Sequence, residues 1–381
     1  MQNPLPVDLV AALELPTAAR PWSTARARQW RQATGWLCGA NFLPSNAINQ
    51  LEMWQRETWS PGVIDRELGW AASLGMNSMR VFLHDLVWKA DQEGFLERID
   101  EFLGLAQRHG IGVLFVFFDS CWHPFPRLGR QPPPEPHVHN SGWVQSPGVA
   151  VLRDAAAFAR LEGYVTGVLE RFRDDPRVHG WDIWNEPDNP NTASRGSRDL
   201  GEQKAAIVAP LLLRAFEWAH AVRPSQPITC GVWHGDYTWE KMGALPRLQV
   251  ALSDVVSFHL YNDVEATRAR IGQLRQFGRP LLCTEYMCRQ VPWAKPPGST
   301  FQSVLPMLRA EKVDAFNWGL VAGKSQTQYP WDSWQRCYEA EPQPWFHDVF
   351  RPDGRPYDPD ETACIRRECA LAKPLELSGN A

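Results

Sequence analysis

The 381-residue sequence predicts a (β/α)₈ barrel with elaborated loops after strands 3, 4 and 8. Eight short apolar runs recur along the chain, and amphipathic helical patterns fill most of the intervals between them. The alternative, an open doubly wound sheet, usually carries a Gly-rich phosphate loop at its switch point, and no Gly-x-Gly-x-x-Gly or Walker-type segment is present.

In order, the runs fall at about 36–43, 77–84, 111–119, 178–186, 227–233, 255–262, 280–286 and 313–321. The third is apolar from Ile111 to Phe118, as expected of a parallel strand covered on both faces. Ser60 and Pro61 read as N-cap and first helical residue ahead of Ile64, Leu68, Ala71 and Leu74, with a stop at Gly75. The next helix aligns Ile99, Phe102, Leu103 and Ala106 and ends at Gly110, and a third carries Phe158, Leu161, Val165, Val168 and Phe172. Further helices hold Ile207, Leu211, Trp218 and Val222, then Ile271 and Leu274, then Phe301, Val304, Leu305 and Leu308. After the fifth run only a turn or two is expected, around Trp239 to Leu245. Residues 1–34 read as an N-terminal extension packed on the barrel, and 35–381 as the barrel itself.

With 39 Lys plus Arg against 43 Asp plus Glu, a formal charge of −4 offers no broad attraction to a polyanion, so nucleic acid is not an expected partner. The apolar share of 44% and charged share of 22% are ordinary for a globular protein, and no apolar run looks long enough to span a bilayer. The eight cysteines show neither a Cys-x-x-Cys pair nor zinc-ligand spacing and read as buried or free thiols. Met1 to Trp30, broken by Pro4, Pro6, Pro16 and Pro21, lacks a basic head followed by an apolar core, so cytoplasmic residence is the default expectation, with export left open. The unusual count is 19 Trp against 7 Tyr and 17 Phe. Any single Trp is most simply packing, but Trp122, Trp143, Trp331 and Trp334 lie in loops, where several tryptophans together suit a cleft that stacks flat apolar ligand faces such as those of sugar rings.

Two strand ends carry the chemistry. Trp181 to Pro187 places Glu186 at the end of the fourth run, where Pro187 stops the ladder, and Pro280 to Tyr286 places Glu285 at the end of the seventh. A barrel brings these strands to opposite sides of one mouth, an arrangement in which two carboxylates can flank a glycosidic bond. An isolated strand-end Glu is more often a solvated loop residue.

Asn185-Glu186-Pro187 at strand 4, His259-Leu260-Tyr261 at strand 6 and Thr284-Glu285-Tyr286 at strand 7 resemble clan A glycoside hydrolases, particularly family 5 with its cellulases and mannanases, over roughly residues 35–325. The resemblance implies a retaining mechanism with Glu186 as acid/base and Glu285 as nucleophile, no cofactor, and a carbohydrate as partner. It further implies that Arg80 and Tyr261 support the charge on Glu285, that Asn185 bonds the hydroxyl beside the anomeric carbon, that His259 orients a carboxyl, and that Trp318 forms the floor under the cleaved sugar. The bland alternatives are a surface salt bridge for Arg80 and a core position for Trp318.

The chain departs from that pattern in two places. Where many family members carry a histidine near the end of strand 3, it has Asp119-Ser120-Cys121-Trp122-His123, so Asp119 is expected to take over a sugar hydroxyl, with His123 reaching in as the alternative, and Trp122 joins the substrate-binding set. Strand 1 ends in Gly39-Ala40-Asn41-Phe42, which resembles a subset of the clan whose asparagine reaches the site. His137 and His139, with His123 and Asp119 nearby, lack a convincing third and fourth ligand, and no catalytic metal is expected. A transglycosylase on the same site and a catalytically silent carbohydrate-binding barrel remain open, as do sugar, linkage and oligomeric state. The Trp- and Pro-rich insertions should wall the catalytic face and make a pocket for a glycan end, the alternative being an open endo-acting cleft.

Overall fold

The computed structural model describes residues 20–192, 199–291 and 298–372. Its eight strands are β1 (Cys38–Asn41), β2 (Ser78–Phe82), β3 (Gly112–Asp119), β4 (Val178–Asn185), β5 (Ile228–Thr229), β6 (Val256–His259), β7 (Leu281–Tyr286) and β8 (Asp314–Asn317). All pair in parallel, in the order β5-β4-β3-β2-β1-β8-β7-β6. The seam between β5 and β6 is closed just past the short β5, where Val232 N donates to Ser257 O (3.1 Å) and His259 N donates to Val232 O (3.0 Å). The predicted (β/α)₈ barrel is therefore the observed fold.

Sequence dictates the close fit of β1 on β2. A Cβ at Gly39 would stand 1.5 Å from Ser78 O, so only glycine lets the strands pair there. Outside the sheet, Phe115 and Phe117 both stack on Trp181 (centroids 5.7 and 5.6 Å), filling the layer between strands and helices. Inside, Leu37, Leu114, Val255, Leu282 and Phe316 form an apolar layer with Ala27. Ala27 belongs to the helix Thr24–Thr34, which covers the underside of the barrel and is held there by an Arg31–Asp314 ion pair and an Arg28 Nη2 bond to Gly278 O (3.1 Å). Residues 1–19 of the expected extension lie outside the described residues.

Pro61–Ser73 and Gln92–Arg108 run as expected to the positive-φ stops Gly75 (83°) and Gly110 (67°). After β5 a 3₁₀ turn at Trp239–Lys241 is followed by a longer helix than expected, Ala244–Leu252. Pro246 lies in its first turn, where no N–H is needed, and Leu245, Val250 and Leu252 bury its inner face. The expectation of no membrane-length run needs amendment: residues 201–222 are long and apolar enough by composition, with a mean hydropathy of 1.3. The helix there, Lys204–Val222, buries Val208, Leu211, Leu212, Ala215 and Phe216 as a barrel helix. A last helix, Pro359–Ala372, packs on Phe301–Ala310 through an Arg309 Nε–Glu368 Oε2 pair at 2.7 Å.

Candidate active site

A charged cluster stands inside the apolar barrel at the C-terminal ends of the strands. Its hub is Arg80 on β2, fully buried. Nη1 donates to Glu285 Oε1 (3.0 Å) and Asn41 Oδ1 (2.8 Å), Nη2 donates to Asn185 Oδ1 and Asp182 Oδ2 (both 2.8 Å), and Nε donates to Asp182 Oδ2 (3.1 Å). One planar guanidinium thereby ties β2 to β1, β4 and β7. Asn41 is fixed in turn, its Nδ2 donating to Thr284 O (2.8 Å) and Asn317 O (3.2 Å), so it acts as a brace for Arg80.

Glu285 accepts a second bond at Oε2 from the Tyr261 hydroxyl (2.8 Å). His259 Nδ1 lies 2.8 Å from Glu186 Oε1 and 3.5 Å from Glu285 Oε2, and oxygens of the two glutamates and the imidazole nitrogen all fall within 4.8 Å of one another. Glu186, just past β4, has a left-handed backbone (φ 44°), a conformation that costs a non-glycine residue energy and that the surrounding bonds must hold. Its Oε2 accepts from Asn189 Nδ2 (2.6 Å), with Cys121 Sγ at 3.4 Å.

Burial pushes both carboxyls above the ordinary range. At Glu285 that push is opposed by the Arg80 cation and the Tyr261 hydroxyl, at Glu186 by the Asn189 amide and the Cys121 thiol. Burial also pushes His259 down to about 4, so its imidazole is neutral above that pH and adds no charge. Two carboxyls this close resist joint ionisation, and with the fixed cation on Glu285 the retained proton belongs on Glu186.

Asn185 has one face on Arg80, and its Nδ2 donates to Asp119 Oδ1 (3.0 Å). Asp119 differs from expectation. It is 1% exposed and also accepts from Cys121 N (2.9 Å), Gln50 Nε2 (3.2 Å) and Trp143 Nε1, so it stands behind Asn185 as a brace instead of facing a sugar. His123, the alternative, is bound to Ser141 O through Nε2 (2.6 Å). Trp318 lies just beyond β8, edge-on to Phe82 (5.9 Å, 88°) and near Trp143 (5.7 Å, 66°). Trp122 stacks on Trp334 (5.2 Å, 9°) and Tyr261 meets Trp331 edge-on (4.9 Å, 88°), which makes an aromatic rim.

His137 and His139, weighed above as metal ligands, have their Nδ1 atoms beside Tyr338 O (2.6 Å) and Tyr329 O (2.8 Å) and serve as loop fasteners. Glu186, His259 and Glu285 have the spacing of a cation site, but the permanent charge of Arg80 already occupies the position of a counter-ion to Glu285. Sequence reasoning missed Asp182, Asn189 and Cys121 as site residues. Asp182 had a usable signal: an acid inside the apolar run Trp181 to Trp184 must find a buried partner, and Arg80 was the strand cation available.

Replacing Arg80 by Met should lower stability by about 3–5 kcal/mol, because Asp182 is left buried beside no cation. Adding Asp182→Asn should recover most of the lost melting temperature but none of the lost turnover, since Glu285 still lacks its cation. Recovery of both in the double variant would show that Arg80 acts only in folding.

No protein-family model matches the chain. No curated protein sequence matches it. Solved structures do. A glycoside hydrolase family 5, subfamily 18 enzyme from Streptomyces cattleya in complex with GlcNAc superposes with a TM-score of 0.56 at 13% identity, covering 89% of this chain and 82% of that one. The endo-β-1,4-mannanase of Thermotoga petrophila gives 0.56 at 15% identity over 91% and 79%. An exo-β-1,4-mannosidase from Opitutaceae bacterium strain TAV5 gives 0.60 at 16% identity over 94% of this chain, which spans 63% of that longer one. The chain thus has the (β/α)₈ barrel fold that these glycoside hydrolases share.

Proposed function

We propose that the protein is a retaining β-glycoside hydrolase in which Glu285 on β7 is the nucleophile and Glu186, just past β4, the acid/base. The observation that carries this reading is the spacing of the pair: one oxygen of each glutamate lies within 4.8 Å of the other, nearer to the separation of retaining pairs (about 5–5.5 Å) than to that of inverting pairs (about 6.5–9.5 Å). Their unequal surroundings support the division of roles. Glu285, bonded by Arg80 and Tyr261, is kept ionised to attack the anomeric carbon. Glu186, surrounded by uncharged partners, holds the proton that the leaving oxygen takes, and after departure of the leaving group it draws a proton from the water that hydrolyses the glycosyl-enzyme. Asn185, oriented between Arg80 and Asp119, is placed to bond the hydroxyl beside the reacting carbon.

β-Mannosides are the first substrates to try, because mannanases and a mannosidase share the fold; β-glucosides come next. Proton NMR of the first minutes of hydrolysis tests the reading. The β-anomer of the released sugar should appear first and then mutarotate, whereas initial appearance of the α-anomer would mean inversion and refute double displacement.

A further inference from the structure

The segments after β3 and β8 are fastened together over the β1 and β2 side of the mouth. Asn140 N donates to Ser325 O (2.8 Å), His137 N donates to Gln326 Oε1 (2.8 Å), and Gln326 Nε2 donates back to Glu135 O (2.7 Å). Lys324 N donates to Ser45 O (2.9 Å), so the segment after β1 joins the same wall. Glu186, just past β4, stands across the barrel from β8; on the hydrolase reading it lies beside the leaving oxygen, from which the leaving group extends. The sugar being cleaved therefore has its other end toward the wall.

Between the wall and Trp318 lies a cavity of about 20 Å³ whose lining includes Asn41, Asn140, Trp143, Trp318, Thr327 and Asp348. A single water needs roughly 10–15 Å³ on this measure, so the cavity accepts one hydroxyl-sized group and excludes a second sugar ring. Its lining includes polar groups with bonding capacity to spare. Asn140 is 1% exposed, yet neither its Oδ1 nor its Nδ2 has a hydrogen-bond partner among the described residues, an arrangement that is unfavourable unless something else supplies the bonds. Asp348 accepts at both oxygens from the Thr327 hydroxyl (2.8 Å each), and burial pushes it up to about 7, which lets it donate as well as accept near neutrality.

We infer that the wall makes the site a dead end for the non-reducing terminal sugar of a β-glycan, with Asn140 and Asp348 bonding a hydroxyl or hydroxymethyl group at the far end of that ring. The inference rests on the hydrolase reading above and adds exo action to it. Neither residue comes from the barrel strands, and both belong to the long segments that follow β3 and β8.

The test compares an aryl β-mannoside and β-glucoside with the same compounds carrying a benzylidene cap on their far hydroxyls, together with a β-manno-oligosaccharide labelled at its reducing end. Free glycosides should be cleaved and capped ones not, and the labelled chain should shorten one sugar at a time. Asn140→Gly keeps the left-handed backbone (φ 47°) without strain and removes only the unpartnered amide, so the fold should persist while kcat/KM on the free glycoside falls by roughly tenfold. Asn140→Asp serves as a second variant and should also lose activity, because it removes the amide donor. Equal cleavage of capped and free glycosides, internal fragments from the labelled chain, or unchanged kinetics in both variants would each overturn the dead end while leaving the two-carboxylate mechanism standing. A wild-type protein inert toward free and capped glycosides alike would overturn the hydrolase reading and this inference with it.

Discussion

Glu285→Gln should lose at least about 10⁴-fold of its turnover on every β-glycoside, whatever the leaving group, because no atom remains to attack the anomeric carbon. The substitution is nearly isosteric and keeps hydrogen-bonding capacity toward Tyr261 and Arg80, so the melting temperature should change far less than the rate. Steady-state rates on an activated aryl glycoside and on an unactivated oligosaccharide, with a thermal melt alongside, provide the check. Survival of substantial activity on either substrate would remove Glu285 from the nucleophile's place.

Glu186→Gln should behave differently. An oligosaccharide needs its leaving oxygen protonated, so its hydrolysis should fall by about 10²–10⁴-fold, whereas an aryl glycoside that departs as a stable phenolate should form the glycosyl-enzyme nearly as well as before. Its slow step then becomes attack by water without a base, which lowers kcat and KM together. The pH profile separates the two roles further. In the native enzyme, rate should fall on the acid side as Glu285 takes up a proton and on the alkaline side as Glu186 loses one; burial raises Glu186, so the alkaline limb should lie above the ordinary carboxylate range. That limb should vanish from the glycosylation step of the Gln variant. Equal losses on both substrates, with the limb retained, would show that Glu186 is not the acid.

The fold was legible because its determinants are local and repetitive. Apolar runs such as Ile111 to Phe118 can hardly be anything but covered parallel strands, and punctuation such as Pro61 and Gly75 marks where helices begin and end. The short helix expected after β5 was underestimated because Pro246 reads as a breaker until its place in the first turn is known. Strand-end residues were legible in the same way: Glu186, Glu285, Arg80, Asn185, His259 and Tyr261 converge because strand ends converge in a barrel. Residues beyond the strands were harder. Asp119 was assigned to a sugar because its position along the strand was known while the direction of its partners Trp143 and Gln50, which arrive from other segments, was not. Asn189 and Asn140 lie in loops with no periodicity, and their importance comes from contacts across long stretches of chain that no short window of sequence displays.

Arg80 sets the charge of its own cluster. One guanidinium faces two carboxyls, Asp182 and Glu285, His259 is neutral above about pH 4, and burial favours the protonated form of Glu186, so with Asp182 and Glu285 ionised and Glu186 protonated these five groups together carry one negative charge in excess. That excess sits in a low-dielectric enclosure, where it acts strongly on whatever forms there. A neutral sugar gains little from it, but a ring that acquires positive character as its glycosidic bond stretches gains a great deal, and gains it only at that moment. On the proposed reading the chamber is a receptor for a cation that no free sugar carries, complementary to the strained, half-broken ring in preference to the substrate that enters or the product that leaves.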